Sequence, residues 1–157
     1  VNLLRSIAAG GALFMLASCN LTTEAITQMP YAPSDGIRVH LESDVIFENL
    51  MVVSDGSGSG VLYGSISNRS AEDVEAVISS DDIDETFSVD ARDSINLGTM
   101  QDIEDGSLIT LEGDFAPGSN LRATVSGGGA QSPAAIPVIS ACSTDYVDAF
   151  PFEADCD

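Results

Sequence analysis

From Ile37 onward, clusters of Gly, Asn, Asp and Ser cut the chain into short runs of β-branched and aromatic residues, and no stretch is left for a long helix. The runs are Ile37–Leu41, Val45–Val53, Gly60–Ser67, Val74–Ser80, Thr86–Val89, Ser94–Leu97, Ser107–Leu111, Asn120–Ser126 and Ala134–Ser140. Ile37, Val39 and Leu41 alternate with polar residues, as do Leu121, Ala123 and Val125, and Val74, Ala76 and Ile78 recur at the same spacing of two, so each set lines one face of a strand. Strands at this spacing predict an all-β fold, a single Greek-key β-sandwich of the cupredoxin-like or immunoglobulin-like kind. Residues 55–60 and 127–129 are glycine-rich connections, and Pro137 marks the last run as an edge strand or the site of a bulge. The chain's 157 residues leave room for one such domain.

The segment before the domain has a different character. Arg5 precedes an uncharged stretch from Ser6 to Ser18, too short to cross a bilayer as a helix, and this is the pattern of a secretory signal peptide. Leu16-Ala17-Ser18-Cys19 resembles the bacterial lipobox, which implies lipidation at Cys19 and a diacylglyceryl anchor that holds the protein on the extracytoplasmic face of the cell membrane. The expected organisation is a signal peptide over 1–18, a lipidated Cys and flexible tether over 19–36, a β-sandwich over 37–141, and an acidic tail over 142–157. With Cys19 assigned to lipid, Cys142 and Cys156 remain as an even pair outside the cytoplasm, and they are expected to form a disulfide that closes the tail.

Charge excludes one large class of function. There are 25 acidic residues against 5 basic ones, all Arg, and the formal charge is −20, so no nucleic-acid role is expected. An anionic bilayer would also repel the domain, which leaves lipid as the anchor. Catalytic patterns are missing. Gly56-Ser57-Gly58-Ser59-Gly60 has the letters of a nucleophile elbow but leads into a strand, and it lacks the Lys of a phosphate loop. The single His, His40, is expected on the solvent face of its strand. The acidic stretches 81–85 and 102–106 read as solvated loops and lack the ligand spacing of a calcium loop.

Gly60-Val-Leu-Tyr-Gly-Ser-Ile-Ser-Asn68, followed by Glu72-Asp73-Val74, resembles the "aliphatic-Tyr-x-x-aliphatic-x-Asn … Asp" strand pair of the PCuAC periplasmic copper chaperones. Ser94–Leu97, Leu108–Leu111, Pro117–Val125 and Ile136–Val138 follow in the order of that family's final strands, and the resemblance spans residues 37–140. It is closest to the actinobacterial lipoproteins related to that family, whose Tyr-x-Pro-x-Asp-Gly turn is matched by Tyr31–Gly36. The resemblance implies a cupredoxin-like sandwich and, in the family, a Cu(I) site of two His and two Met. This chain has Ser79 and Ser80 where the first His and Met stand, and the stretch from Asp102 to Leu111 where the His-x-Met stands. The soft donors left in the domain are His40, Met51 and Met100, and they fall short of the set that Cu(I) needs. The expected function is that of a membrane-anchored, non-catalytic lipoprotein without a cofactor, interacting with an envelope protein or glycan. A copper chaperone with a degenerate site is the alternative.

Overall fold

Two long hairpins, β2–β3 and β8–β9, organise the described residues. The computed structural model describes residues 35–81, 83–146, 151–154 and 156, with the side chains of all but Met100 and Ile103. These residues lie within a unit spanning 32–157. The signal peptide, Cys19 and the tether up to residue 34 lie outside them. The elements are β1 (Ile37–His40), β2 (Val45–Ser54), β3 (Ser59–Asn68), β4 (Val74–Ser79), β5 (Asp84–Val89), β6 (Ser94–Leu97), α1 (Met100–Asp105), β7 (Thr110–Glu112), β8 (Asn120–Gly127) and β9 (Ala130–Ser140).

The strands succeed one another in the order β5-β4-β8-β9-β2-β3-β6, with β1 on β2 and β7 on β3. Strand β9 belongs to both layers of the sandwich. Its first part pairs antiparallel with β8 from Ala130 to Pro137, and Val138 to Ser140 then run parallel to Val52–Ser54 of β2. Pro133 and Pro137 fall in the first part, which pairs on one side only, so neither is asked for a ladder N–H. This is the edge position that Pro137 predicts. Strand β9 starts at Ala130 rather than Ala134 because Gly128 and Gly129, at φ 56° and 82°, make a two-residue turn that pairs Gly127 with Ala130 at once.

Strand β2 changes phase halfway. Its pairing with β3 runs from Val45↔Asn68 to Glu48↔Ser65 and resumes at Met51↔Tyr63, so two residues of β2 oppose Gly64 alone. Asn49, at φ 53°, takes up the extra residue. Gly64 has to be glycine, since a Cβ there would come within 2.9 Å of Leu50 and 3.0 Å of the Glu48 carbonyl. Before the bulge Val45 and Phe47 point into the main core, and after it Leu50 and Val52 do. Met51 and Val53 therefore face the other way. With Val61, Tyr63 and Ala141 they form a second, smaller core on the outer face of the sheet, against which Leu108, Tyr146 and Ala154 pack.

The cover of that second core comes largely from the tail. Cys142 and Cys156 are joined at 2.01 Å, which fastens the tail's end to the last residues after β9. Helix α1 departs from the expected acidic loop at 102–106. Thr99 caps it, accepting from the Asp102 N–H at 3.2 Å while the Asp102 carboxylate accepts from the Thr99 N–H at 2.6 Å, and Gly106 at φ 68° ends it. Thr-x-x-Asp followed by Gly four residues on was the overlooked signal.

Between the two layers, one buried amide gathers three chain segments. Asn68 is 1% exposed, and its Nδ2 donates to the carbonyls of Glu72, Val89 and Asp90 at 2.7, 3.1 and 3.1 Å. Its Oδ1 accepts from the Ser70 N–H at 3.0 Å. Asn68→Ala strands these groups and is expected to cost roughly 2–4 kcal/mol in a denaturant titration. Asn68→Asp places an acceptor-only carboxylate against three carbonyl oxygens, so its deficit relative to the parent chain should be larger at pH 7 than near pH 4, where the carboxyl carries a proton it can donate. Opening the disulfide is expected to cost about 3 kcal/mol and to expose the Met51–Tyr63 patch to an apolar dye.

Candidate functional site

The sequence singles out soft metal donors, and the fold keeps them apart. His40 ends β1 opposite Ile46, with its side chain 57% exposed and its Nε2 3.9 Å from the Asp44 carboxylate. Met51 lies five residues further along β2, 7% exposed in the second core and covered by the tail. Met100 opens α1, and its side chain is outside the described set. His40 and Met51 therefore belong to two separate places, an open strand end and a covered sheet face. Cys19, the residue expected to carry lipid, lies outside the described residues.

The positions that the resemblance marks for copper hold other chemistry. Ser79 ends β4, and Ser80 turns the chain: its N–H donates to the Ile83 carbonyl at 2.7 Å, and its Oγ accepts from the Ile83 N–H at 3.1 Å. This buries Ile83 in the main core. Asp81 then lines a cleft of about 230 Å³ with Asp114, Ser119, Asn120 and Arg122, where the oxygens are hard ligands and the guanidinium is no metal ligand. Asp102 is committed to capping α1, and the Thr99 hydrogen bonds hold its carboxyl below the ordinary carboxylate range. Among the described residues, no three His, Cys, Asp or Glu side chains are grouped to hold a metal ion. Within the same set no helix is long and apolar enough to cross a membrane.

The residues that carry the resemblance are structural. Asn68 is the buried amide described above, and Asp73 accepts from the Ala91 N–H at 2.9 Å, bracing the β5–β6 connection. Tyr63 supports the second core, and burial, then the nearby Asp102 charge, raise its phenol pKa. Asn68 links the two layers, Asp73 a connection and Tyr63 the outer face of one sheet, so each of the three supports the scaffold.

No protein-family model and no curated protein sequence matches the chain. Solved structures do. The apo PCuAC domain of PmoF2 superposes with a TM-score of 0.51 over 68% of this chain and 98% of that domain, at 11% identity. The fold is that of the PCuAC domains. The copper-bound PCuAC domain of PmoF2 gives a TM-score of 0.50 over 66% of this chain and 98% of its own length, again at 11% identity. The likeness covers nearly the whole length of the PCuAC domains of PmoF2.

A second feature escaped the sequence reading. Asp35, where the described chain begins, accepts a hydrogen bond from the Tyr146 hydroxyl, and Gly36 donates to the Asn49 side chain at 3.0 Å. The start of the domain is thus held by the bulge on one side and by the disulfide-closed tail on the other. Burial, with the Asp35 hydrogen bond and charge added, pushes the Tyr146 phenol up to about 12 from its usual 10.0. The folded chain holds this proton more tightly than the unfolded one, so the contact's stabilisation is complete below pH 10.0 and is lost as pH rises through about 12. The thermal midpoint should fall across that window, and the difference between the parent chain and Tyr146→Phe should vanish at its upper end.

Proposed function

We propose that the chain is a membrane-anchored, extracytoplasmic, non-catalytic module of the copper-trafficking kind. The observation that carries this reading is the fold it shares with the copper-bound PCuAC domain of PmoF2. The lipobox-like Leu16–Cys19 supports the anchor and the compartment, and the absence of any catalytic pattern in the sequence supports a binding role. Copper would be cargo, and the domain's part would be to present soft donors on a rigid sandwich. His40 is the open donor, while Met51 becomes available once the tail lifts from the second core.

The separation of His40 from Met51 favours a second reading, in which the scaffold has lost its metal and serves as an interaction module for an envelope protein or glycan. A Cu(I) competition titration on the full chain carrying Cys19→Ala separates the two, because with Cys142 and Cys156 paired no thiol remains to bind the metal. The copper reading expects one-to-one binding that weakens at least about tenfold on His40→Ala. Absence of binding would remove copper and leave the interaction module. The anchor is tested separately: Cys19→Ala should move the protein from the membrane to the soluble fraction, and unchanged retention would overturn lipidation there.

A further inference from the structure

We propose that the cleft between Arg69 and Arg92 is a phosphate-binding site. The chain has five arginines and no lysine against 25 acidic residues, so a cation that is left unpaired is out of keeping with its surroundings. Arg38 follows the general expectation and pairs with Glu48 at 3.1 Å. Arg69 and Arg92 do not: neither makes an ion pair with a described residue, yet both line one cleft of about 350 Å³ with Ser67, Asn68, Asp93 and Ser94. All six of those residues come from the paired ends of β3 and β6 and the turns beside them. Ser67 pairs with Ser94, and the Asn68 N–H donates to the Asp93 carbonyl at 2.9 Å.

The cleft is built in advance of any ligand. Arg69 follows the buried Asn68 directly, and the Asn68 amide donates to the Asp90 carbonyl two residues before Arg92. One satisfied, buried side chain therefore fixes both loops that carry the guanidinium groups. Arg92 is held at φ 60°, a left-handed conformation that a non-glycine residue adopts at a cost and that places this side chain on the cleft. Asp93 is the one carboxylate in the lining, and it accepts the Ser94 N–H at 2.8 Å. The cleft has two guanidinium groups for that single carboxylate.

The geometry favours phosphate over carboxylate. A guanidinium offers parallel N–H donors that engage two oxygens at a time, and one such fork satisfies a carboxylate. Two forks approaching from separate turns need a ligand with more oxygens, which tetrahedral phosphate supplies, and the Ser67 and Ser94 hydroxyls add neutral donors. The chain's −20 charge opposes anions at a distance, but at physiological salt that field decays within about 8 Å, so a short-range site can operate within it.

Isothermal titration of the full chain with inorganic phosphate, at constant ionic strength balanced by chloride, tests the site. Saturable one-to-one binding is expected, weakened at least about tenfold by Arg69→Gln or by Arg92→Gln, with acetate binding at least about tenfold more weakly than phosphate. Arg92→Gly suits φ 60° and should keep the thermal midpoint of the parent while losing affinity as Arg92→Gln does, which separates binding from folding. Arg122→Gln, at the other cleft, should leave binding unchanged. Glycerol 3-phosphate distinguishes the source: tighter binding than inorganic phosphate indicates an esterified ligand, and weaker binding indicates the free ion. No saturable binding up to about 10 mM phosphate, or undiminished binding in the double Gln variant, would overturn the proposal.

Discussion

The fold depends most on the side-chain amide of Asn68. A sandwich is two sheets that share an apolar interior, and hydrophobic packing alone leaves their relative slide weakly specified, because apolar contacts are non-directional. Asn68 adds direction. It sits at the end of β3 in one layer and hydrogen-bonds to the carbonyl of Glu72, just before β4, and to that of Val89 at the end of β5 in the other. Because the group is buried, any slip of one sheet against the other would leave donor and acceptors unpaired in a medium that penalises this heavily. The register of the layers is thereby tied to a single residue.

Local pattern carried most of the fold. Each of the nine strands was visible as a β-branched run between turn residues, and the edge character of β9 was visible in Pro137. What escaped depended on long-range or mixed signals. The run Val45–Val53 reads as continuously apolar, and nothing local says that it serves two cores, because the phase change at Asn49 exists only against Gly64 on the partner strand. Helix α1 was hidden by its composition: its acidic residues suit a solvated loop equally well, and the distinction lay in Thr99, Asp102 and Gly106 acting together.

The candidate site was less legible for a physical reason. The residues that make the chain resemble a copper chaperone, Asn68, Asp73 and the strand around Tyr63, are those that maintain the sandwich, and this role is independent of what the loops hold. Scaffold residues are constrained by buried hydrogen bonds, whereas ligand residues at exposed strand ends can be exchanged at little cost in stability. A sequence can therefore keep the signature of a fold after its donors have been replaced, as Ser79, Ser80 and Asp102 illustrate. The fold that the resemblance implied is present, and His40 and Met51 stand in separate places within it.

Charge has a similar division. With 25 acidic residues, the surface repels itself and repels anionic partners. Against this background the placement of the few cations is informative. Arg38 ties β1 to β2 through Glu48, so its charge is spent within the fold. Arg69 and Arg92 stabilise no described carboxylate, and the second stands on a backbone conformation that glycine would adopt more easily. The turn from Asp90 to Asp93 is closed locally, with the Asp93 N–H donating to the Asp90 carbonyl at 3.2 Å, and Arg92 is carried in that conformation within it. Asn68 holds Asp90 at the start of that turn, so the residue that ties the two layers together also holds the loop carrying one of the two arginines that line this cleft.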